Sequence, residues 1–330
     1  MSEDQEQHDP IAVVLVCDDK YVRHTATAII SIVKNSRRTF CFYIFDCGIR
    51  PGNIEKLKAW DLGQNKINIV PIPKVDVFER FKLKKCYSPA IFYRLAIPEV
   101  LPELGKAIYM DSDMVVLDDL GEVWDIPMQN CTFGAVPDGT NYTSKALFKA
   151  RKRALGIAPE SVYFNSGFLL FNIKAIKDFH LAQRVIEFLE NNTHNKRVTL
   201  PDQDALNVVI DRSKFLSLPP KFNCAVSGSW QKAGVDKPCV LHLFDKVWEY
   251  PPFFVEHFLK KIHPYCDEYF RYARITPWAS EVTRDASLWE LFRCLWKLCL
   301  KPIEQFVRYR IRDKFINWIY NLKSKGPSAC

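Results

Sequence analysis

Seven apolar residues in a row, Ile11-Ala-Val-Val-Leu-Val-Cys17, run straight into Asp18-Asp19. The run is far too short to cross a bilayer and has no polar side to turn toward water. It reads as a strand buried on both faces, as strands of parallel sheets are. Apolar residues then recur with helical spacing at Ala26, Ile29, Ile30 and Val33, which predicts a helix from Val22 to Lys34. A second buried strand is expected from Phe40 to Phe45, with a turn at Gly48. Pro51-Gly52 opens a helix that stops at Gly63, and a third strand follows from Ile67 to Ile72. Strand, helix, strand, helix, strand in this order predicts an α/β fold on a doubly wound, mostly parallel sheet.

Ser88-Pro89 supplies an N-cap and a first-turn proline for a helix through Phe92 and Arg94 to about Ile97. Lys106-Ala-Ile-Tyr-Met110 is the next strand, and it delivers Asp111-Ser112-Asp113 at its carboxyl end. Further strands are expected at Thr132–Val136 and Gly167–Ile173, and helices at Ala175–Glu190 and from Asp202 to about Asp211. Residues 1–10 read as a disordered lead-in, 11–250 as the α/β domain, and 251–330 as an aromatic and basic C-terminal region.

Charge is distributed unevenly. The net +8 comes from 46 basic and 38 acidic residues, and the last forty residues hold nine Lys or Arg against Glu304 and Asp313. Apolar residues at 288, 291, 292, 295, 298 and 299 predict a tail helix broken by Pro302, with a second helix from about Ile303 to Leu322. Tryptophans among those cations fit an interfacial anchor on an anionic membrane, with packing on the α/β domain as the alternative. Nucleic acid is disfavoured, because no groove-reading or stacking module is present. The polar, acidic start is not a signal peptide, and eleven cysteines without a CxxC pair fit reduced cytosolic thiols.

Asp111 and Asp113 are the centre of the chemistry. In open α/β sheets ligands bind beyond the carboxyl ends of the strands. Two carboxylates on such a turn can grip a hard divalent cation, which would bridge diphosphate oxygens. A solvated turn is the plainer reading of Asp-x-Asp alone; its place directly after an apolar strand favours the metal. Neither GxGxxG nor GxxxxGK[ST] occurs, so a diphosphate would need a metal or basic side chains. Asp18 and Asp19 face the same crevice, either for a ribose or base contact or as helix caps. Asn165-Ser166-Gly167 could meet sugar hydroxyls or form a plain turn, and Asp202-Gln203-Asp204 alone reads as acids at a helix start. His242 is a metal ligand or a packing residue.

Together the segments VVLVCDDKY, SPAIFYRL, KAIYMDSDMVV, GAVPD, YFNSGFLLFNI, PDQDALN and VLHLF resemble the family 8 retaining glycosyltransferases. The likeness is strongest to bacterial enzymes that extend lipopolysaccharide or lipooligosaccharide, and it runs from Ile11 to about Trp248. It implies a Rossmann-like fold of the GT-A nucleotide-sugar transferase type and a UDP-hexose donor, glucose or galactose. It implies Mn²⁺, with Mg²⁺ as a substitute, held by Asp111, Asp113 and His242. Asp18, Asp19, Lys20 and Tyr21 would line the donor pocket with Ser112, Arg94 would help bind the diphosphate or sugar, and Asp138, Asn165, Asp202 and Gln203 would contact the hexose. Gln203 and Asp202 would be the catalytic pair and Lys246 a diphosphate contact. The acceptor would be a glycan or lipid-linked oligosaccharide at the cytoplasmic face of the inner membrane, where the tail would dock, and the product would be α-linked.

One segment departs from the family. His242-Leu-Phe-Asp245-Lys246-Val-Trp248 replaces the usual glycine with Asp245, lacks the proline, and brings the lysine two residues early. A nucleotidyltransferase and a non-catalytic nucleotide-sugar-binding subunit are the alternatives to an active transferase.

Overall fold

The apolar run at the start of the chain forms a central strand. β1 (Ile11–Cys17) lies parallel to and between β2 (Phe40–Asp46) and the strand Lys106–Met110, and β3 (Lys66–Pro71) adds in parallel beyond β2. Every residue of β1 but Val16 is buried. α1 (Val22–Asn35) and α2 (Pro51–Ala59) make the crossovers. The structure is a computed structural model that describes residues 9–72, 88–138, 145–192, 198–226, 230–231, 234–244, 246–257, 259–261 and 265–282.

The main sheet has seven strands in the order β3-β2-β1-β4-β7-β6-β8, with β4 at Lys106–Met110, β6 at Phe133–Pro137, β7 at Phe164–Asn172 and β8 at Phe215–Ser217. It is mostly parallel, as expected, except that β7 runs antiparallel to both neighbours. That reversal brings the first residues of β7 to the edge where β1 and β4 end. A second sheet, β5 (Met114–Val116), β10 (Val240–His242) and β9 (Cys224–Ala225), pairs His242 with Met114 and so returns the histidine beside Asp113.

Three elements differ from the sequence expectation. β7 begins at Phe164, so Asn165 and Ser166 lie inside it rather than before a strand starting at Gly167. The helix expected over Ala175–Glu190 is two helices, Ile173–Asp178 and Leu181–Asn191, because His180 between them is left-handed at φ 53°. The segment after Ser88 is a 3-10 helix, Pro89–Ala96, with Ser88 capping the Ala90 N–H at 3.3 Å as expected. Here the Arg94 side chain takes the Ile91 carbonyl at 2.9 Å, a carbonyl that an α-helix would give to a backbone N–H.

The packing does not stop at residue 250. A helix at Glu268–Ala273 lies on α1: Tyr269 meets His24 Nδ1 at 2.7 Å, and Asn35 donates to the Tyr272 hydroxyl at 2.7 Å. Trp278 is fully buried, and its indole N–H donates to Asn53 at the start of α2 at 3.0 Å. Residues on both sides of position 250 thus pack into one hydrophobic cluster. The tail helices expected from Leu288 lie outside the described residues. Among the described residues no helix is long and apolar enough to cross a membrane.

Removing the Trp278 indole should therefore destabilise the whole domain. Trp278→Ala is expected to cost about 3–5 kcal/mol, read from urea denaturation, whereas an independent C-terminal unit would leave the main transition unmoved. His24 supplies a second check. Burial, assisted by Arg23, pushes its pKa down to about 3, so the folded ring is neutral. An unfolded histidine protonates near pH 6.5. This contribution is fully present above that pH and falls by roughly 1.4 kcal/mol per pH unit toward pH 3. Urea midpoints of His24→Gln should vary less than wild type between pH 7 and pH 4.

Candidate active site at the carboxyl edge of the sheet

β4 ends at Met110, and the next backbone N–H, of Asp111, donates to the Gly167 carbonyl in β7 at 2.8 Å. This bond joins the Asp-Ser-Asp turn to the Asn-Ser-Gly segment. The Leu243 N–H donates to the Asp113 carbonyl at 2.9 Å and fixes the histidine strand to the same turn. Ser112 points inward: its hydroxyl accepts from Thr25 at 2.8 Å and donates to the Val16 carbonyl at 3.1 Å. Its side chain anchors the turn to β1 and α1.

Asp111, Asp113 and His242 converge. His242 Nε2 lies 3.2 Å from Asp113 Oδ1 and 4.0 Å from Asp111 Oδ2. One donor atom from each residue falls within 4.8 Å of the others. Ligands of one cation at metal–oxygen distances of about 2.1 Å sit at most roughly 4.2 Å apart, so a small closure completes the set. Two carboxylate oxygens and one imidazole nitrogen suit Mn²⁺ or Mg²⁺ better than a thiolate-seeking metal. Gly167 makes the space: a Cβ there would lie 2.4 Å from His242 Cε1 and 2.8 Å from Asp111 Oδ2. The residues present fit a hard divalent cation.

Electrostatics in the cluster are divided. Burial, with Asp113 adding to it, raises the Asp111 carboxyl above its ordinary range despite Arg94 and His242. Burial acts on Asp113 too, but His242 holds that carboxyl below its ordinary range. The buried Arg94 guanidinium pairs with Asp111 at 3.0 Å and Asp202 at 3.4 Å and donates to the Ser166 carbonyl at 2.6 Å. Tyr109, kept protonated by burial, donates to Asp111 Oδ1.

A buried polar network extends from this cluster. Gln203 Oε1 accepts from Asn165 Nδ2 at 3.0 Å and from the Ser166 N–H at 3.2 Å. Its Nε2 donates to Asp138 at 3.1 Å and to the Tyr163 hydroxyl at 3.2 Å. Ser166 Oγ donates to Asp202 at 3.2 Å. Behind them Tyr163 donates to Asp204, which also pairs with Arg151 at 2.6 Å and accepts the Thr199 and Leu200 N–H groups. The structure thus brings Asp111, Asp113, His242, Arg94, Asp138, Asn165, Asp202 and Gln203 into one assembly.

The donor-pocket residues divide. Asp18 accepts the Lys20 and Tyr21 N–H groups at 3.0 Å each and so closes the turn ahead of α1, whose N-cap, Tyr21, has no side-chain cap. Tyr21 and Lys246 lie beside one another there, and Lys246 is left-handed at φ 47°. Burial opposes the Lys246 charge, yet Tyr21, Glu249 and Asp113 raise its pKa. Asp19 turns away: it accepts from Arg50 N at 2.9 Å, Arg50 Nε at 2.6 Å and Asn53 at 2.8 Å. Lys20 is exposed, and Asp245 lies outside the described residues.

Sequence reasoning missed Asn223, Tyr109, Tyr163 and Arg151. Asn223 carries no local motif. Tyr109 was visible only as one more apolar position of β4, and Tyr163 and Arg151 act on Asp204 across the fold.

The chain belongs to glycosyl transferase family 8, whose sequence profile matches residues 12–250. Family membership sets aside the nucleotidyltransferase alternative. General stress protein A of Bacillus subtilis (strain 168) is 26% identical over 82% of this chain and 96% of its own length. A putative glycosyltransferase of Haemophilus influenzae is 30% identical over 64% of this chain and 62% of its own. Lipopolysaccharide 1,2-glucosyltransferase of Escherichia coli (strain K12) is 26% identical over 62% of this chain and 60% of its own. The chain thus spans about three fifths of the length of these last two. Among solved structures, the galactosyltransferase LgtC in complex with donor and acceptor sugar analogs superposes with a TM-score of 0.66, at 20% identity, over 84% of this chain and 99% of that one. The fold is that of these transferases.

Gly167→Ala tests the cation reading directly. The added methyl group collides with His242 and Asp111, so Mn²⁺ affinity should fall roughly tenfold or more, read by electron paramagnetic resonance of free Mn²⁺. Far-ultraviolet circular dichroism should stay that of the folded chain.

Proposed function

We propose that this enzyme transfers glucose or galactose from a UDP-sugar to a glycan acceptor, with retention of configuration, forming an α-linkage. The convergence of Asp111, Asp113 and His242 at the end of β4 carries the reading. The lipopolysaccharide 1,2-glucosyltransferase among its relatives and the likeness to LgtC support a hexose donor and a lipopolysaccharide-type acceptor. Mn²⁺, with Mg²⁺ as a substitute, would offset charge on the leaving diphosphate when bound by these three residues.

The chain's own residues supply the rest. Lys246, beside Tyr21 and within reach of the Asp113 charge, would meet diphosphate oxygens. Arg94 is spent on protein groups, so it serves by holding Asp111 and Asp202 in place. Asp138, Asn165, Asp202 and Gln203 present the polar wall for hexose hydroxyls. The Gln203 amide is hydrogen-bonded at both ends and is a poor nucleophile. Front-face attack follows: the bond from the anomeric carbon to the diphosphate breaks, the acceptor oxygen bonds on the same face, and its proton passes to the leaving diphosphate. A trapped covalent sugar–enzyme adduct would contradict this route. Docking on the cytoplasmic face of the inner membrane through the basic C-terminal region completes the proposal, and the exposed Phe253 and Ile275 are compatible with it.

The experiment is UDP release from a panel of UDP-sugars with Mn²⁺ or EDTA. Release from one UDP-hexose, lost with EDTA and reduced at least about a hundredfold in Asp113→Ala, is expected. No release from any donor, with sugar acceptors added, would point instead to a binding subunit disabled in the His242–Trp248 segment.

A further inference from the structure

We infer that Asn223 is a positioning residue, which fixes the tautomer of His242 and ties the metal end of the site to its Gln203 end. The inference rests on the cation reading of Asp111, Asp113 and His242. Asn223 follows the 3-10 turn Pro220–Phe222, leads into β9 and is buried at 1% exposure. Its Oδ1 lies 3.0 Å from His242 Nδ1, and its Nδ2 lies 2.7 Å from Asn165 Oδ1.

The direction of these bonds is forced. An amide side chain can be turned end for end, but a backbone N–H only donates and an ionised carboxylate only accepts. The Ser166 N–H points at one end of the Gln203 amide at 3.2 Å, which must be its oxygen, and Asp138 lies 3.1 Å from the other, which must be its nitrogen. The Gly167 N–H points at one end of the Asn165 amide at 2.9 Å, so that end is oxygen, and the Asn165 nitrogen meets the Gln203 oxygen at 3.0 Å. Asn223 must then offer its nitrogen to the Asn165 oxygen, which leaves only its own oxygen for His242. His242 Nδ1 therefore carries a hydrogen and donates it. The ring's other nitrogen, Nε2, is the one that faces Asp111 and Asp113.

Two consecutive backbone N–H groups of β7 and one carboxylate thus polarise three amides in series, and the last sets the ligand nitrogen. Partners in this position orient a ligating imidazole and raise its basicity, and their loss typically costs 10–100-fold in metal affinity. The same relay holds Gln203, so a change at Asn223 should reach both ends.

The test compares Asn223→Leu and Asn223→Asp. Leucine removes acceptor and donor; aspartate keeps an acceptor for His242 but has no hydrogen for Asn165. Mn²⁺ affinity of the full chain without nucleotide should fall about 10–100-fold in Asn223→Leu and hold in Asn223→Asp. UDP release at saturating Mn²⁺ should nevertheless fall at least tenfold in Asn223→Asp. In the ¹⁵N-histidine spectrum, a slowly exchanging Nδ1–H signal missing from His242→Gln should persist in wild type and Asn223→Asp and vanish in Asn223→Leu. If Asn223→Leu does not fold, the wild-type and Asn223→Asp signals decide. Absence of that signal from the wild type, or wild-type affinity in Asn223→Leu, overturns the inference. If Asp113→Ala binds Mn²⁺ like the wild type, the cation reading fails instead, while the Nδ1–H signal still reports on the relay.

Discussion

The bond from the Asp111 N–H to the Gly167 carbonyl, at 2.8 Å, is where the fold becomes a site. It exists because β7 runs against β4 and begins where β4 ends. Had β7 run parallel, Asn165, Ser166 and Gly167 would lie at the far edge of the sheet, away from the aspartates. The reversal sets a strand start rich in small and amide side chains against a strand end carrying two acids. Gly167 lets His242 close over the gap, and Arg94 crosses beneath to hold Asp111, Asp202 and the Ser166 carbonyl.

Burying this many polar groups is costly unless each finds a partner. Here backbone N–H groups, whose direction cannot vary, set the orientation of the amides, and Tyr163, Asp204 and Arg151 support the network from behind. Preorganisation of this kind lets a site stabilise charge without rearranging at the moment of reaction. The opposing pressures on Asp111 and Asp113 have the same source: two acids share a low-dielectric crevice, and His242, which acts on both, holds only Asp113 below its ordinary range.

Much of the architecture was legible in the chain. β1, β2, β4 and α1 came from apolar runs and helical spacing, which report burial directly, and α2 from its proline and glycine punctuation. Asp111 and Asp113 were legible because an acid pair after an apolar strand has few other uses. The direction of β7 was not, since a strand's residues are the same whichever way it runs. Asp18 and Asp19 look equivalent in sequence, yet one caps the Lys20–Tyr21 turn and the other the start of α2. That difference depends on where Arg50 and Asn53 arrive from β2. Asn223 and Tyr163 act only through partners distant in sequence, so nothing local marks them. The core beyond residue 250 was hidden similarly, because Tyr269 and Trp278 find their polar partners on α1 and α2.

The most direct measurement is anomalous diffraction at the manganese edge from crystals soaked with Mn²⁺ and UDP. The account predicts one strong peak bonded to Asp111, Asp113 and His242 Nε2, with diphosphate oxygens completing its coordination. A crystal that shows UDP in the crevice with no peak there, or with manganese bound elsewhere, would contradict it.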